Sequence, residues 1–213
     1  MTTTRSPAGQ HDQATFDFYA REASAYVGTG QDSASRWLHG FAQLLPKGAS
    51  ILELGCGGGR DAEALLKLGF DVYPTDGSPQ MADLARARLG RPVKAMRFDE
   101  LDEAGRYDAV WANASLLHVP RPALADVLAR VFAALKPGGL HFASYKAGTA
   151  AGRDGLGRYF NYPDRDLLTQ AYARSAPWTI LEISDHVAGG YEGAQWPWLA
   201  VTAQRPHAPQ ATI

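Results

Sequence analysis

The chain has 213 residues, 46% hydrophobic and 20% charged, with a formal net charge of −1. That composition describes a single globular domain with a sizeable core, and the near-zero charge offers no electrostatic footprint for a nucleic acid. One cysteine excludes an internal disulfide and a multi-cysteine metal site. No apolar run reaches membrane-spanning length and the polar start lacks a signal-peptide core, so no membrane partner and a cytoplasmic location are expected.

In chain order, residues 1–13 and 204–213 are rich in Thr, Pro, Gln and Ala and are expected to fray, leaving 14–203 as a single domain. Helices are expected over 14–25, where Phe16, Tyr19, Ala23 and Tyr26 share a face, and over 33–45, ended by Pro46-Lys47-Gly48. Strand one covers about 49–55 and a helix about 59–68. Strand two runs over 70–76, with Pro74 awkward for a central strand. Ser78-Pro79 is a cap-plus-proline start for a helix to about Leu89. Strands follow at Val93–Phe98 and Tyr107–Ala112, then a helix from about Pro122 to Leu135 with an apolar stripe. Lys136-Pro137-Gly138-Gly139 reads as a sharp stop before a strand at Leu140–Tyr145. Residues 148–157 read as a mobile glycine-rich loop. A helix at 164–174 and strands at Thr179–Asp185 and Leu199–Ala203 close the chain.

Strands alternating with helices make this an α/β chain, a parallel sheet covered on both faces. The last two strands have no helix between them, so that link is expected to be antiparallel. Ligands of such sheets bind beyond the carboxyl ends of the strands. Strand one ends in Glu53-Leu54-Gly55-Cys56-Gly57-Gly58-Gly59-Arg60-Asp61, a strand–glycine turn–helix passage that sets ligand polar atoms against bare backbone and a helix N-terminus. A dinucleotide fingerprint needs glycine at the sixth loop place, where this chain has Arg60. Glu53, before the loop, suits an ammonium better than a diphosphate. Cys56 is read as the small residue that the turn requires.

Strand two ends in Asp76, twenty-one residues past Gly55, a distance at which a carboxylate accepts from ribose hydroxyls. Strand three ends in Phe98-Asp99-Glu100-Leu101, where an apolar side chain can cover a purine and Asp99 can accept from its amine. Strand four ends in Asn113-Ala114, followed by His118, and strand five ends near Tyr145-Lys146.

Those motifs resemble the class I S-adenosylmethionine-dependent methyltransferases. The glycine loop with Glu53, the acid Asp76, the pair Phe98-Asp99, the fourth-strand run Tyr107–Trp111 and the turn Leu135–Gly139 all have counterparts there. The chain is similar to compact bacterial members, including those of tellurite and thiopurine resistance. The resemblance implies a doubly wound, Rossmann-like, seven-stranded and mostly parallel sheet of order 3-2-1-4-5-7-6, its last strand antiparallel. S-adenosyl-L-methionine is the implied cofactor and no metal is expected. Its site would comprise Tyr19, Tyr26, Arg36, Glu53, Gly55, Cys56, Gly57, Arg60, Asp61, Asp76, Gly77, Ser78, Met81, Phe98, Asp99, Glu100, Leu101, Asn113 and Ala114. Tyr19 and Tyr26 would lie over the methionine portion, and Arg36 or Arg60 would meet its carboxylate.

Methyl transfer needs geometry and, for a protonated nucleophile, a base. His118 is the candidate base; His118, Tyr145, Lys146, Arg158 and Tyr159 are expected around a small-molecule acceptor. A nicotinamide-dependent oxidoreductase and a non-catalytic cofactor-binding protein are the alternatives. The sequence is compatible with a monomer and with a homodimer.

Overall fold

The computed structural model describes residues 11–28, 33–189, 191 and 193–208. Seven strands form one sheet: β1 (Ser50–Leu54), β2 (Asp71–Asp76), β3 (Lys94–Ala95), β4 (Tyr107–Ala112), β5 (Leu135–Lys146), β8 (Ile180–Gly189) and β9 (Gln195–Gln204). Their order is β3-β2-β1-β4-β5-β9-β8. The first five are parallel, and β9 runs antiparallel to both β5 and β8. This is the order and the antiparallel closure expected from the sequence. Strand order reverses between β1 and β4, so the sheet opens a crevice at their carboxyl ends.

Helices cover both faces. Ile51, Ala109, Trp111 and Phe142 point to one side, under α2 (Leu38–Ala42) and α3 (Arg60–Lys67). Trp111 stacks on Phe142 with centroids 4.3 Å apart. Leu52, Leu54, Val110, Ala143 and Val201 point to the other side, under α5 (Leu124–Ala134) and α6 (Arg165–Ser175). Helix α4 (Pro79–Leu89) starts as its sequence dictates: the Ser78 hydroxyl accepts from the amide of Met81, and Pro79 fills the first turn.

Helix α1 (Gln13–Val27) is capped by Asp12, whose carboxylate accepts from the amide of Thr15. Of the segment 1–13 that was expected to fray, Asp12 and Gln13 are held by this cap and helix, and residues 1–10 lie outside the described ones. The expected fraying of 204–213 fails likewise at its start: the Arg205 guanidinium donates to the carbonyls of Phe132, Ala133 and Leu135. Residues 209–213 lie outside the described ones.

Three other expectations change. The helix expected over 33–45 is helical only at Leu38–Ala42, because Asp61 accepts from the Ser35 amide and holds the preceding segment in a turn. Strand three shrinks to Lys94–Ala95. The Asp76 carbonyl accepts from the amide of Met96, so alternation turns the nitrogen of Pro74 to the same side, where it has no hydrogen to donate. The loop expected to be mobile over 148–157 contains half of a hairpin, β6 (Gly152–Arg153) against β7 (Tyr159–Phe160). Asp154 closes its turn by accepting from the amides of Leu156 and Arg158.

Candidate active site

The carboxyl ends of β1, β2, β4 and β5 surround a cleft roofed by α1 and flanked by the β6–β7 hairpin. It has two lobes that share Tyr19, Tyr26, Gly55, Gly57, Ala114 and His118, one of about 100 Å³ and one of about 270 Å³.

The smaller lobe lies between α1 and the ends of β2 and β3, and Asp76, Gly77, Ser78, Met81, Phe98 and Asp99 all line it, as expected. At Gly77 the Phe16 ring of α1 packs on bare backbone: a Cβ there would lie 2.3 Å from the ring, which would have to move aside. The Asp76 carboxylate accepts from the amides of Gly57 and Ser78, both at 2.8 Å. Burial nevertheless dominates and pushes Asp76 up to about 6, while those two amides pull it down. Asp99 is 9% exposed; its Oδ1 accepts from Arg97 Nε at 3.1 Å, and its Oδ2 is buried without a partner. That orphaned acceptor awaits a donor.

The larger lobe begins at the glycine loop. Gly55 has φ +74°, and a Cβ there would lie 2.5 Å from Ser115 Cβ, so both backbone sign and space demand glycine. Glu53 is buried, with Oε2 unpartnered. Desolvation first, then the nearby Asp61 and Asp76, raise it well above the usual carboxyl range. Asp61 is engaged by the protein: it accepts from the Ser35 amide, Trp111 Nε1 and Asn113 Nδ2. Asn113 in turn accepts from Ser144 Oγ, which accepts from the amide of Ala114. Burial pushes the Cys56 thiol well up, as a packing residue requires. Arg36, Arg60, Lys146 and Arg158 line the same lobe.

At the junction of the lobes, His118 Nδ1 lies 2.6 Å from the Tyr159 carbonyl oxygen. A carbonyl only accepts, so Nδ1 carries the proton and Nε2 keeps the lone pair, which receives the Tyr19 hydroxyl at 2.8 Å. Arg158 Nη1 donates to that same hydroxyl oxygen at 3.3 Å. Burial above all lowers His118 to about 4 against the pull of the Tyr159 carbonyl, so the imidazole is neutral at ordinary pH. Tyr26 stacks on Tyr191 with centroids 4.7 Å apart.

Four expected site residues are not brought together with the rest. Alternation along β5 turns Ser144 and Lys146 to the cleft and Tyr145 into the opposite core, where it is fully buried. The Tyr159 side chain accepts from the amide of Arg121, and only its backbone carbonyl serves His118. Glu100 is exposed and reaches back to the Arg97 amide, and Leu101 is buried in the core. Sequence reasoning missed Phe16, Ser115, Arg97, Tyr191 and Trp198 as cleft residues. Only Phe16 carried a signal, standing on the apolar stripe of α1. Among the described residues no three potential metal ligands cluster, and no helix is long and apolar enough to cross a membrane.

Residues 51–139 match the family described as "Methyltransferase domain". A ubiquinone biosynthesis O-methyltransferase of Bordetella avium is 38% identical over 116 residues, 51% of this chain and 46% of that protein. Its counterpart from Xanthomonas oryzae pv. oryzae is 29% identical over 160 residues, 67% of this chain and 65% of that protein. The chain thus spans about half to two thirds of the length of the curated relatives that it matches. Neither is named for tellurite or thiopurine. Among solved structures, a Burkholderia thailandensis 1,6-didemethyltoxoflavin-N1-methyltransferase, with 1,6-didemethyltoxoflavin and S-adenosylhomocysteine bound, superposes with a TM-score of 0.73 at 22% identity. It covers 91% of this chain and 88% of its own. A Methanosarcina mazei SAM-dependent methyltransferase gives 0.72 at 16% identity, covering 83% and 100%. At these identities the likeness is one of fold.

Proposed function

We propose that this member of the class I S-adenosylmethionine-dependent methyltransferase family transfers a methyl group from S-adenosyl-L-methionine to a small-molecule acceptor by in-line displacement. The observation that carries the reading is convergence: the glycine loop, Asp76, Asp99 and Glu53 reach one cleft from three strand ends. The residues fit the donor: Asp99 Oδ2 and Glu53 Oε2 are buried without partners, and adenosylmethionine would bring a donor to each, its ring amine to the first and its ammonium to the second. Asp76 would hold the ribose, Met81 and Phe98 the purine, and Glu53 with the glycine loop the amino acid end. Arg60 and Arg36 stand on the same lobe for the carboxylate. Residues 14–203 would act as one domain, in the cytoplasm.

When bound, the donor supplies an electrophilic methyl on a positive sulfonium. The chain's own residues must align the acceptor and exclude water. Tyr19 and Tyr26 roof the junction of the lobes, and their electron-rich faces tolerate a sulfonium. His118 is the group placed to take a proton, through Nε2, once the Tyr19 hydroxyl yields that lone pair. Oxygen is the acceptor atom favoured by the names of the curated relatives.

Calorimetric titration with S-adenosylhomocysteine and with NAD tests the donor. Saturable binding of the first is expected; tighter binding of NAD rejects the reading. Transfer of labelled methyl to a panel of hydroxylated small molecules tests turnover.

A further inference from the structure

The β6–β7 hairpin carries a buried ion pair that reaches across the cleft to α1. The side chains of Arg158 and Asp154 are 2% and 4% exposed. Asp154 Oδ1 accepts from the amides of Leu156 and Arg158, while Oδ2 accepts from Arg158 Nε at 2.8 Å and lies 2.6 Å from Nη2. One carboxylate thus closes the turn with one oxygen and grips the guanidinium with the other. The guanidinium also rests on rings, 5.0 Å from the centroid of Phe18 and 5.3 Å from those of Phe160 and Tyr191. Buried ion pairs contribute little net stability, so stability alone is a poor account of this one. Held in this way, Arg158 donates through Nη1 to the Tyr19 hydroxyl oxygen at 3.3 Å.

The direction of each bond from there to His118 is fixed by chemistry. A guanidinium only donates, so the Tyr19 oxygen is the acceptor from Arg158. The Tyr159 carbonyl only accepts, so His118 carries its proton on Nδ1 and Nε2 is an acceptor. The single proton of the Tyr19 hydroxyl therefore lies toward Nε2, 2.8 Å away. The hairpin sets both ends of this row: Arg158 faces the hydroxyl oxygen, and the carbonyl of the next residue, Tyr159, sets the tautomer of the base. Burial first, then Tyr26, raise Tyr19 well above the usual phenol range, and Arg158 pulls it the other way, easing loss of its proton. Tyr19 lines both lobes, so its hydroxyl stands at their junction.

We propose that Arg158, braced by Asp154, is a positioning residue for proton removal from the acceptor, holding the Tyr19 hydroxyl so that it passes its own proton to His118 Nε2 and takes the acceptor's in exchange. The inference rests on the methyl-transfer reading and names how its base is reached. As the acceptor oxygen bonds the methyl carbon, the C–S electron pair stays on sulfur, the proton of that oxygen moves to Tyr19, and the Tyr19 proton moves to His118. The positive charge that began on sulfur ends on the imidazolium.

The test reads the two ring nitrogens of His118 by nitrogen NMR in the full chain, with and without S-adenosylhomocysteine. The unaltered chain should show a neutral ring, protonated at Nδ1, with Nε2 displaced by an incoming hydrogen bond; Tyr19→Phe gives the position of Nε2 without that bond. In Arg158→Met, Nε2 should move to the Tyr19→Phe position while S-adenosylhomocysteine affinity is retained, which shows that the cover is still seated. Should loss of one charge prevent folding, Asp154→Asn combined with Arg158→Met removes both and is expected to give the same shift. On phenol as the acceptor probe at neutral pH, Tyr19→Phe and Arg158→Met should each lower kcat about 100-fold with KM little changed, the scale of one positioned proton transfer. If phenol is not methylated, the nitrogen positions decide by themselves. An Nε2 unmoved by the loss of Arg158 overturns the proposal, as does a proton on Nε2 in the unaltered chain or undiminished kcat in either variant. Loss of S-adenosylhomocysteine affinity along with the bond also overturns it, since Arg158 would then be a brace for the cover and nothing more. Failure of S-adenosylhomocysteine to bind the unaltered chain is a different result and strikes the donor assignment instead.

Discussion

Asp99→Asn is the sharpest perturbation of the donor site, because the structure fixes which way the new amide must face. Oδ1 of Asp99 accepts from Arg97 Nε at 3.1 Å, and Oδ2 is buried without a partner. Arg97 can only donate, so it retains the carbonyl oxygen of the asparagine and forces the NH₂ group into the position of Oδ2. The variant then presents a donor to the donor amine of adenine. Losing a hydrogen bond to a charged group costs about 1.5–3 kcal/mol, so S-adenosylhomocysteine affinity should fall about 10- to 150-fold. The inosine analogue, with a carbonyl in place of the amine, should show the reverse: weak binding to the unaltered chain and a gain in Asp99→Asn. Calorimetry on the four combinations separates base recognition from general damage. Native affinity for S-adenosylhomocysteine in the variant, or an unchanged preference between the two ligands, refutes the assignment.

Asp76→Asn should weaken S-adenosylhomocysteine by about 1.5–3 kcal/mol on the same grounds. In the unaltered chain, affinity should decline as pH falls through about 6, where Asp76 takes up a proton; a flat profile between pH 5 and 7 would remove it from the ribose. Gly55→Ala forces a side chain into φ +74° and against Ser115 Cβ, and should cost at least about 1–3 kcal/mol in urea unfolding. His141, fully buried with Nδ1 donating to the Val110 carbonyl, is lowered from 6.5 to about 4 by burial. Below pH 6.5 the unfolded imidazole binds a proton that the folded one refuses until about 4, so this contribution is lost as pH falls. Between pH 7 and 5 the unaltered chain should lose about 2 kcal/mol more than His141→Gln. The comparison between variants is needed because His118 acts in the same sense. Asp76, raised in the folded state, opposes them: its contribution is lost as pH rises from 3.8 through about 6.

Most of the fold was legible because strand, turn and helix signals repeat locally. Ser78-Pro79 announced α4 and its capping hydrogen bond formed as read. The errors have specific sources. Tyr145 was assigned to the cleft from its place at a strand end, but a period of two decides the face, and one residue's shift moved it into the core while Lys146 took the cleft side. The stop expected at Lys136–Gly139 became a register shift instead: Tyr107 pairs with Leu135 and Ala109 with Leu140, and the extra residues bulge out between them. Composition cannot distinguish a glycine-rich turn that ends a ladder from one that interrupts it.

The site divides along the same physical line. Its rim was readable because each rim residue follows a strand in sequence, so spacing encodes position: Glu53, Gly55, Asp76 and Asp99 all reach the cleft. Its cover was not, since the contacts that seat α1 join residues far apart in the chain. Arg153 bonds Asp12 across 141 positions, the Tyr159 amide donates to Thr15 Oγ1 across 144, and Arg158 reaches Tyr19 across 139. No motif spans such distances. The two halves also differ in what holds them: the rim is fixed by the backbone ladder, while the cover packs on α4 and is tied by side-chain bonds to a hairpin of two-residue strands. The cover is thus held by side chains where the rim is held by backbone. Tyr19 belongs to it, and its hydroxyl occupies the lone pair of His118 at 2.8 Å, so a bond between the cover and the rim depends on the placement of α1.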